Sequence, residues 1–266
     1  IRSKRIIKKK REVGNWKNHL DKFGKIQLKN ILGNGNKLRG GHLDKIYLLG
    51  DSIIDNTPYV QKNEKDVASH LNSMYKSSPQ INIYNRAVDG HTMKDLLDTQ
   101  LSDEGLNEAT NIVVSIGGND LLGNLYFLID AMGLYQGQES KVFQRTTTRN
   151  KTFEDTYFEI IKPMQQEYES VVANLSNYRA KLLLCTVYEG DLVDSDEFND
   201  VIYSSKTMLS IFNDLVYRTA QKYNAEVLEL RDIFVSPEDY ANPIEPSHIG
   251  GEKLAKAIKA VSYTHL

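Results

Sequence analysis

Five residues of this 266-residue chain have the types and the order that acyl transfer needs: Ser52, Gly90, Asn119, Glu245 and His248. A hydroxyl becomes a nucleophile when a neutral imidazole within hydrogen-bond reach takes its proton. The imidazole in turn needs a carboxylate to hold its tautomer, and Glu245 stands three residues before His248. A tetrahedral intermediate needs donors aimed at its oxyanion. A glycine amide and an Asn side-chain NH₂ serve, each commonly worth ~3 kcal/mol. Taken singly, each residue has a plainer reading. Asp51 and Ser52 can bond turn amides, Gly90 can be a turn glycine, and Asn119 can cap a helix starting near Leu121. Glu245 can be a surface carboxylate and His248 a helix-start residue. What these five share is position.

That position comes from the elements around them. Ile46–Leu49 is a short apolar run that reads as a fully buried strand, and Gly50-Asp51-Ser52 ends it. Further strands are expected at Ile81–Tyr84, Ile112–Ile116, Lys181–Val187 and Glu226–Leu230, with helices at about 64–75, 92–101, 154–178, 199–223 and 250–261. The alternation predicts an α/β fold, a three-layer α/β/α sandwich on a flavodoxin-like parallel sheet of about five strands, joined by right-handed crossovers. Asn85–Thr92, with Gly90, follows the second strand, and Gly117–Asp120 follows the third. His248 precedes the last helix. All then meet at the carboxyl edge of one sheet, where open α/β folds keep their reactive groups. Residues 123–153 are the longest weakly periodic segment, of the length of a lid or binding loop, although Leu121 to Met132 also suits a helix.

These blocks, in this order, resemble the SGNH (GDSL-type) hydrolases: Ser in Gly50-Asp51-Ser52, Gly90, Asn119 in Gly117-Gly118-Asn119-Asp120, and His in the last block. The resemblance covers about Lys45 to Ala260. It implies Ser52 as nucleophile, His248 as base, and an oxyanion hole made by the Ser52 amide, the Gly90 amide and the Asn119 side chain. The last block departs from the family's D-x-x-H-P-S wording, reading Asn242-Pro243-Ile244-Glu245-Pro246-Ser247-His248. Alignment on Pro-Ser puts Asn242 in the acid's place and Glu245 in the base's place. Alignment on spacing gives Glu245-x-x-His248, a triad with Glu as its acid. The second is preferred here, because a Glu does not easily replace imidazole as the base for a Ser hydroxyl. Ser247 is a natural N-cap, which sets His248 at a helix start, where the dipole favours the neutral ring. The expected function is a serine esterase working through an acyl-enzyme on a small-molecule ester, with no metal or organic cofactor. The altered last block motivates the alternative, a non-catalytic module that keeps the fold and binds an acyl or carbohydrate ligand. Asp120 is assigned to structure and His91 to the surface.

The totals bound the rest. Apolar residues make up 40% and charged residues 26%, ordinary for a globular protein. The single Cys185, inside an apolar run, excludes an internal disulfide and suits a buried inert thiol. Residues 1–45 carry 14 Lys and Arg against 3 Asp and Glu, and the remainder 19 against 32. The chain thus divides into a basic arm and linker (1–44) and an acidic hydrolase-like domain (45–262). Weak contact of the arm with an anionic surface is one expectation, and no nucleic-acid partner is expected. No signal segment is visible and there is one Cys, so a cytoplasmic location is expected, with the true start of the chain and the oligomeric state left open.

Overall fold

A strand that is apolar on both faces must be covered on both, and β1 (Asp44–Gly50) is. Ile46 to Leu49 are at most 3% exposed. The computed structural model describes residues 43–131, 157–192 and 199–263. Beside β1 lie β2 (Ile81–Asn85) and β3 (Asn111–Ser115), followed outward by β4 (Lys181–Cys185) and β5 (Glu226–Leu228). All neighbours pair parallel, in the order β2-β1-β3-β4-β5. The strand order reverses between β1 and β3, which makes a crevice at their carboxyl ends.

Among the described residues, six α-helices connect and cover the sheet: α1 (Val67–Met74), α2 (Met93–Asp98), α3 (Gly118–Ala131), α4 (Lys162–Leu175), α5 (Asn199–Tyr223) and α6 (His248–Tyr263). α3 packs on α5, and α4 on both α2 and α5. α6 instead meets α1, where the Lys259 ammonium lies 5.2 Å from the centre of the Tyr75 ring and donates to the Met74 carbonyl. Right-handed crossovers on a sheet whose order reverses put helices on opposite faces in this way. The expected three layers are present.

Element boundaries shift by a few residues. The third strand ends at Ser115 and the fourth at Cys185, and the fifth stops at Leu228 because Leu230–Asp232 turns into a 3₁₀ helix. A helix, α3, begins at Gly118 rather than Leu121 and takes up the start of the segment read as a loop. Residues 1–42 of the basic arm and all of residues 132–153 lie outside the described residues.

Candidate active site

Backbone geometry presents Ser52 at the end of β1. Gly50 has φ 135°, a conformation open to glycine, and a Cβ there would come within 1.8 Å of the Ser115 carbonyl oxygen. The chain then turns through Asp51–Ile54, with the Ile54 and Asp55 amides donating to the Asp51 carbonyl at 3.1 and 2.9 Å. The Asp51 amide donates to the Ser115 carbonyl, which ties the turn to the end of β3. Buried Gln100 clamps Gly50 from the other side: its Oε1 accepts from the Gly50 amide at 2.8 Å and its Nε2 donates to the Gly50 carbonyl at 2.7 Å. Ser52 itself is 7% exposed.

The oxyanion residues sit on two neighbouring segments. The Val88 amide donates to the Gly50 carbonyl and the Asp89 amide to the Asp55 carboxylate, holding the Gly90 loop beside the Ser52 turn. Gly90 has φ 81° and faces open space. Asn119, in the first turn of α3, donates from Nδ2 to the His91 carbonyl at 2.9 Å, which leaves its second N–H free to be aimed elsewhere. His91 is therefore part of the scaffold, and its Nδ1 also lies 3.0 Å from Gln100 Nε2. Asp120 accepts from the Met93 amide at the start of α2, a structural role as expected; burial pushes its carboxyl up to about 6, against the Met93 bond.

The last block is where geometry and expectation part. Glu245 lines the same cleft as Ser52 and Asn119. It rides on a closed loop: Tyr240 and Pro246 form an antiparallel bridge, the Ala241 amide donates to the Glu245 carbonyl, and Asn242 Oδ1 accepts from the Ile244 and Glu245 amides at 3.0 Å. Tyr188 donates its hydroxyl to the Ile244 carbonyl at 2.7 Å. Asn56, fully buried, donates to the Pro246 and Ser247 carbonyls while accepting the Val67 amide of α1. Burial raises the Glu245 carboxyl above its ordinary value, opposed by the Ser52 hydroxyl, with the Asp89 charge raising it further and the Tyr59 hydroxyl lowering it. Its Oε2 is buried without a hydrogen-bond partner.

His248 does not join Glu245. Ser247 caps α6, accepting from the Ile249 and Gly250 amides, and the His248 imidazole lies 3.3 Å from the Glu64 carboxylate with its side chain 40% exposed. The Glu245–His248 pairing is thus corrected. A helix would bring side chains three apart onto one face, but Glu245 lies outside α6, before its cap. Glu245, and not His248, lines the cleft with Ser52, while Asn242 braces the loop.

Asp51 is the second acid beside Ser52. It is 1% exposed, its Oδ1 accepts from the Ile53 amide at 3.1 Å, and Oδ2 has no partner. Burial pushes its carboxyl up to about 8, with the Ile53 bond opposing and the Glu245 charge adding to the rise. The cleft holds roughly 690 Å³ of empty space, part of it open solvent, and its walls include Leu121, Leu122, Leu125, Met208, Leu209 and Ile244.

Fold and site together define a three-layer α/β/α hydrolase with a serine at the topological switch point. The GDSL-like lipase/acylhydrolase family model matches residues 46–252, and the chain belongs to that family. It is an ester-bond hydrolase by class. Among solved structures, it is similar to the acetylxylan esterase Axe2 from Geobacillus stearothermophilus (16% identity, 84% of this chain and 96% of that one, TM-score 0.55). It is also similar to an extracellular lipase from Streptomyces rimosus (12% identity, 82% and 99%, TM-score 0.58) and to phospholipase A1 from Streptomyces albidoflavus NA297 (10% identity, 82% and 99%, TM-score 0.57). No curated protein matches by sequence.

Proposed function

We propose that the chain is a serine esterase that takes an apolar acyl chain. Ser52 attacks the ester carbonyl, and the oxyanion is held by the Ser52 and Gly90 amides and the Asn119 side chain. The alcohol leaves, and water releases the acyl group from Ser52. The observation that carries this reading is the common cleft: Ser52 and Asn119 open onto a wall of leucine, methionine and isoleucine side chains. Apolar walls of this kind favour a fatty acyl chain by burying its methylenes, at ~0.8 kcal/mol each. The structural neighbours range from acetylxylan esterases to a lipase and a phospholipase A1, and the lining supports the lipid-like end of that range.

The test is hydrolysis of 4-nitrophenyl esters from acetyl to octanoyl by wild type and Ser52→Ala. The longer chains should raise kcat/KM, and Ser52→Ala should reduce it by roughly 10³-fold or more while the fold is kept. A Ser52→Ala protein as active as wild type refutes the assignment. Saturable binding of the same esters by wild type without turnover marks the second reading, a non-catalytic binder, which the carboxylate at position 245 motivates.

A further inference from the structure

The side chain that the last block turns towards Ser52 is a carboxylate, where the family's wording has an imidazole. We propose that Glu245 itself takes and returns the Ser52 proton, so that the chain works with a Ser–Glu pair in which His248 has no part. The proposal rests on Ser52 being the nucleophile, as read above.

Three other groups compete for the role: geometry removes the two histidines, and burial sets the third aside. His248 is paired with Glu64 and is not part of the cleft wall. His91 presents Nδ1 to Gln100 and its carbonyl to Asn119, so it serves the scaffold. Asp51 lines the cleft, but its Oδ1 is taken by the Ile53 amide, and a carboxyl pushed up to about 8 holds its proton at neutral pH. Glu245 remains, on a loop fixed from three sides by Tyr188, Asn56 and the Tyr240–Pro246 bridge.

A free carboxylate is a weak base for a hydroxyl, and its surroundings strengthen this one. Among the described residues no cation forms an ion pair with Glu245. The groups that face it are the Asp51 carboxyl from the β1 turn, Asp89 from the Gly90 loop, Tyr59 from the Thr57–Tyr59 turn, and Tyr188 from beyond β4. Partial burial and the Asp89 charge both favour the protonated acid, which makes the anion the better base. Against that rise stand the Ser52 hydroxyl and Tyr59, which also donates to Asp89 at 3.1 Å; both lower the Glu245 carboxyl.

The step balances within these groups. The Ser52 Oγ–H proton passes to Glu245 as the Oγ–C bond forms, and the carbonyl π pair moves to the oxyanion. Collapse breaks the bond to the alcohol oxygen, which takes the proton from Glu245. Water then gives a proton to Glu245 as it attacks, and Ser52 recovers that proton when the acyl bond breaks.

The test uses a fluorophosphonate as probe, with peptide mapping of Ser52 and labelling rates from pH 4 to 8. Glu245→Gln, a near-isosteric change, should slow labelling by roughly 10²-fold or more and remove its acid limb. His248→Ala should label within threefold of wild type. Glu245→His combined with Asn242→Asp, which writes the family's D-x-x-H into the loop, should restore labelling with the acid limb moved towards an imidazole's value, ~6.5. Glu245→Gln labelling at the wild-type rate overturns the inference and leaves Ser52 as nucleophile, as does a His248→Ala loss equal to that of Glu245→Gln. A wild type that does not label overturns the reading of Ser52 and the inference together.

Discussion

Asp51→Asn should stabilise the chain at neutral pH and leave it nearly unchanged in acid. Asp51 is fully buried, and its carboxyl is raised from an ordinary 3.8 to about 8, chiefly by burial. Between those values the unfolded chain releases a proton that the folded chain keeps. The folded state therefore binds more protons, and stability falls as pH rises through this window. Each pH unit is worth about 1.4 kcal/mol for one such group, so the loss between pH 4.5 and 7.5 is of the order of 4 kcal/mol. An Asn at this position keeps the Oδ1 acceptor for the Ile53 amide and puts NH₂ where the acid's second, unpartnered oxygen now lies. It titrates nowhere. The measurement is urea unfolding of both proteins at pH 4.5, 6 and 7.5, at unchanged m-value. The Glu245 and Asp120 charges help to raise Asp51, so their coupling to it is part of the difference that is measured. A difference that stays flat with pH means that Asp51 ionises in the folded protein near its ordinary value, and the reasoning fails.

Two more outcomes follow from the same geometry. Gln100→Met removes both hydrogen bonds to Gly50 from a buried site, at a cost of roughly 2–4 kcal/mol. Ester hydrolysis should fall with it, and a melting temperature equal to wild type contradicts the clamp. Met208→Trp enlarges a side chain of the apolar cleft wall, so octanoyl esters should lose kcat/KM at least tenfold more than acetyl esters, as a chain-length series would measure. Equal losses place the acyl chain elsewhere.

The sheet was legible because buried parallel strands are written as short unbroken apolar runs, and Ile46–Leu49, Ile112–Val114 and Leu182–Leu184 are such runs. Ser52 and Asn119 were legible because each follows one of them directly. Glu245 and His248 were not, since spacing in sequence fixes proximity only within one regular element, and Ser247 is where loop changes to helix. Gln100, Asn56 and Tyr59 carried no local signal. Gln100 meets Gly50 across 50 positions and Asn56 meets Pro246 across 190, contacts that exist only once the sheet edge is assembled. Helix periodicity places Gln100 near a helix end and says nothing of what its amide will hold.

The pairing of Gly50 with Ser115 has a consequence for tolerance. Ser52 is measured from one strand of that pair and Asn119 from the other, so the ladder between β1 and β3 is the ruler that sets their separation. Its smallest division is one residue, about 3.3 Å. An oxyanion donor works over a few tenths of an ångström. A slip of a single mark would therefore abolish the pairing of nucleophile and donor outright, while also exchanging the side chains that β1 presents to its two covered faces. Packing in the middle of the sheet, far from any substrate, is in this sense part of the alignment of the reacting groups.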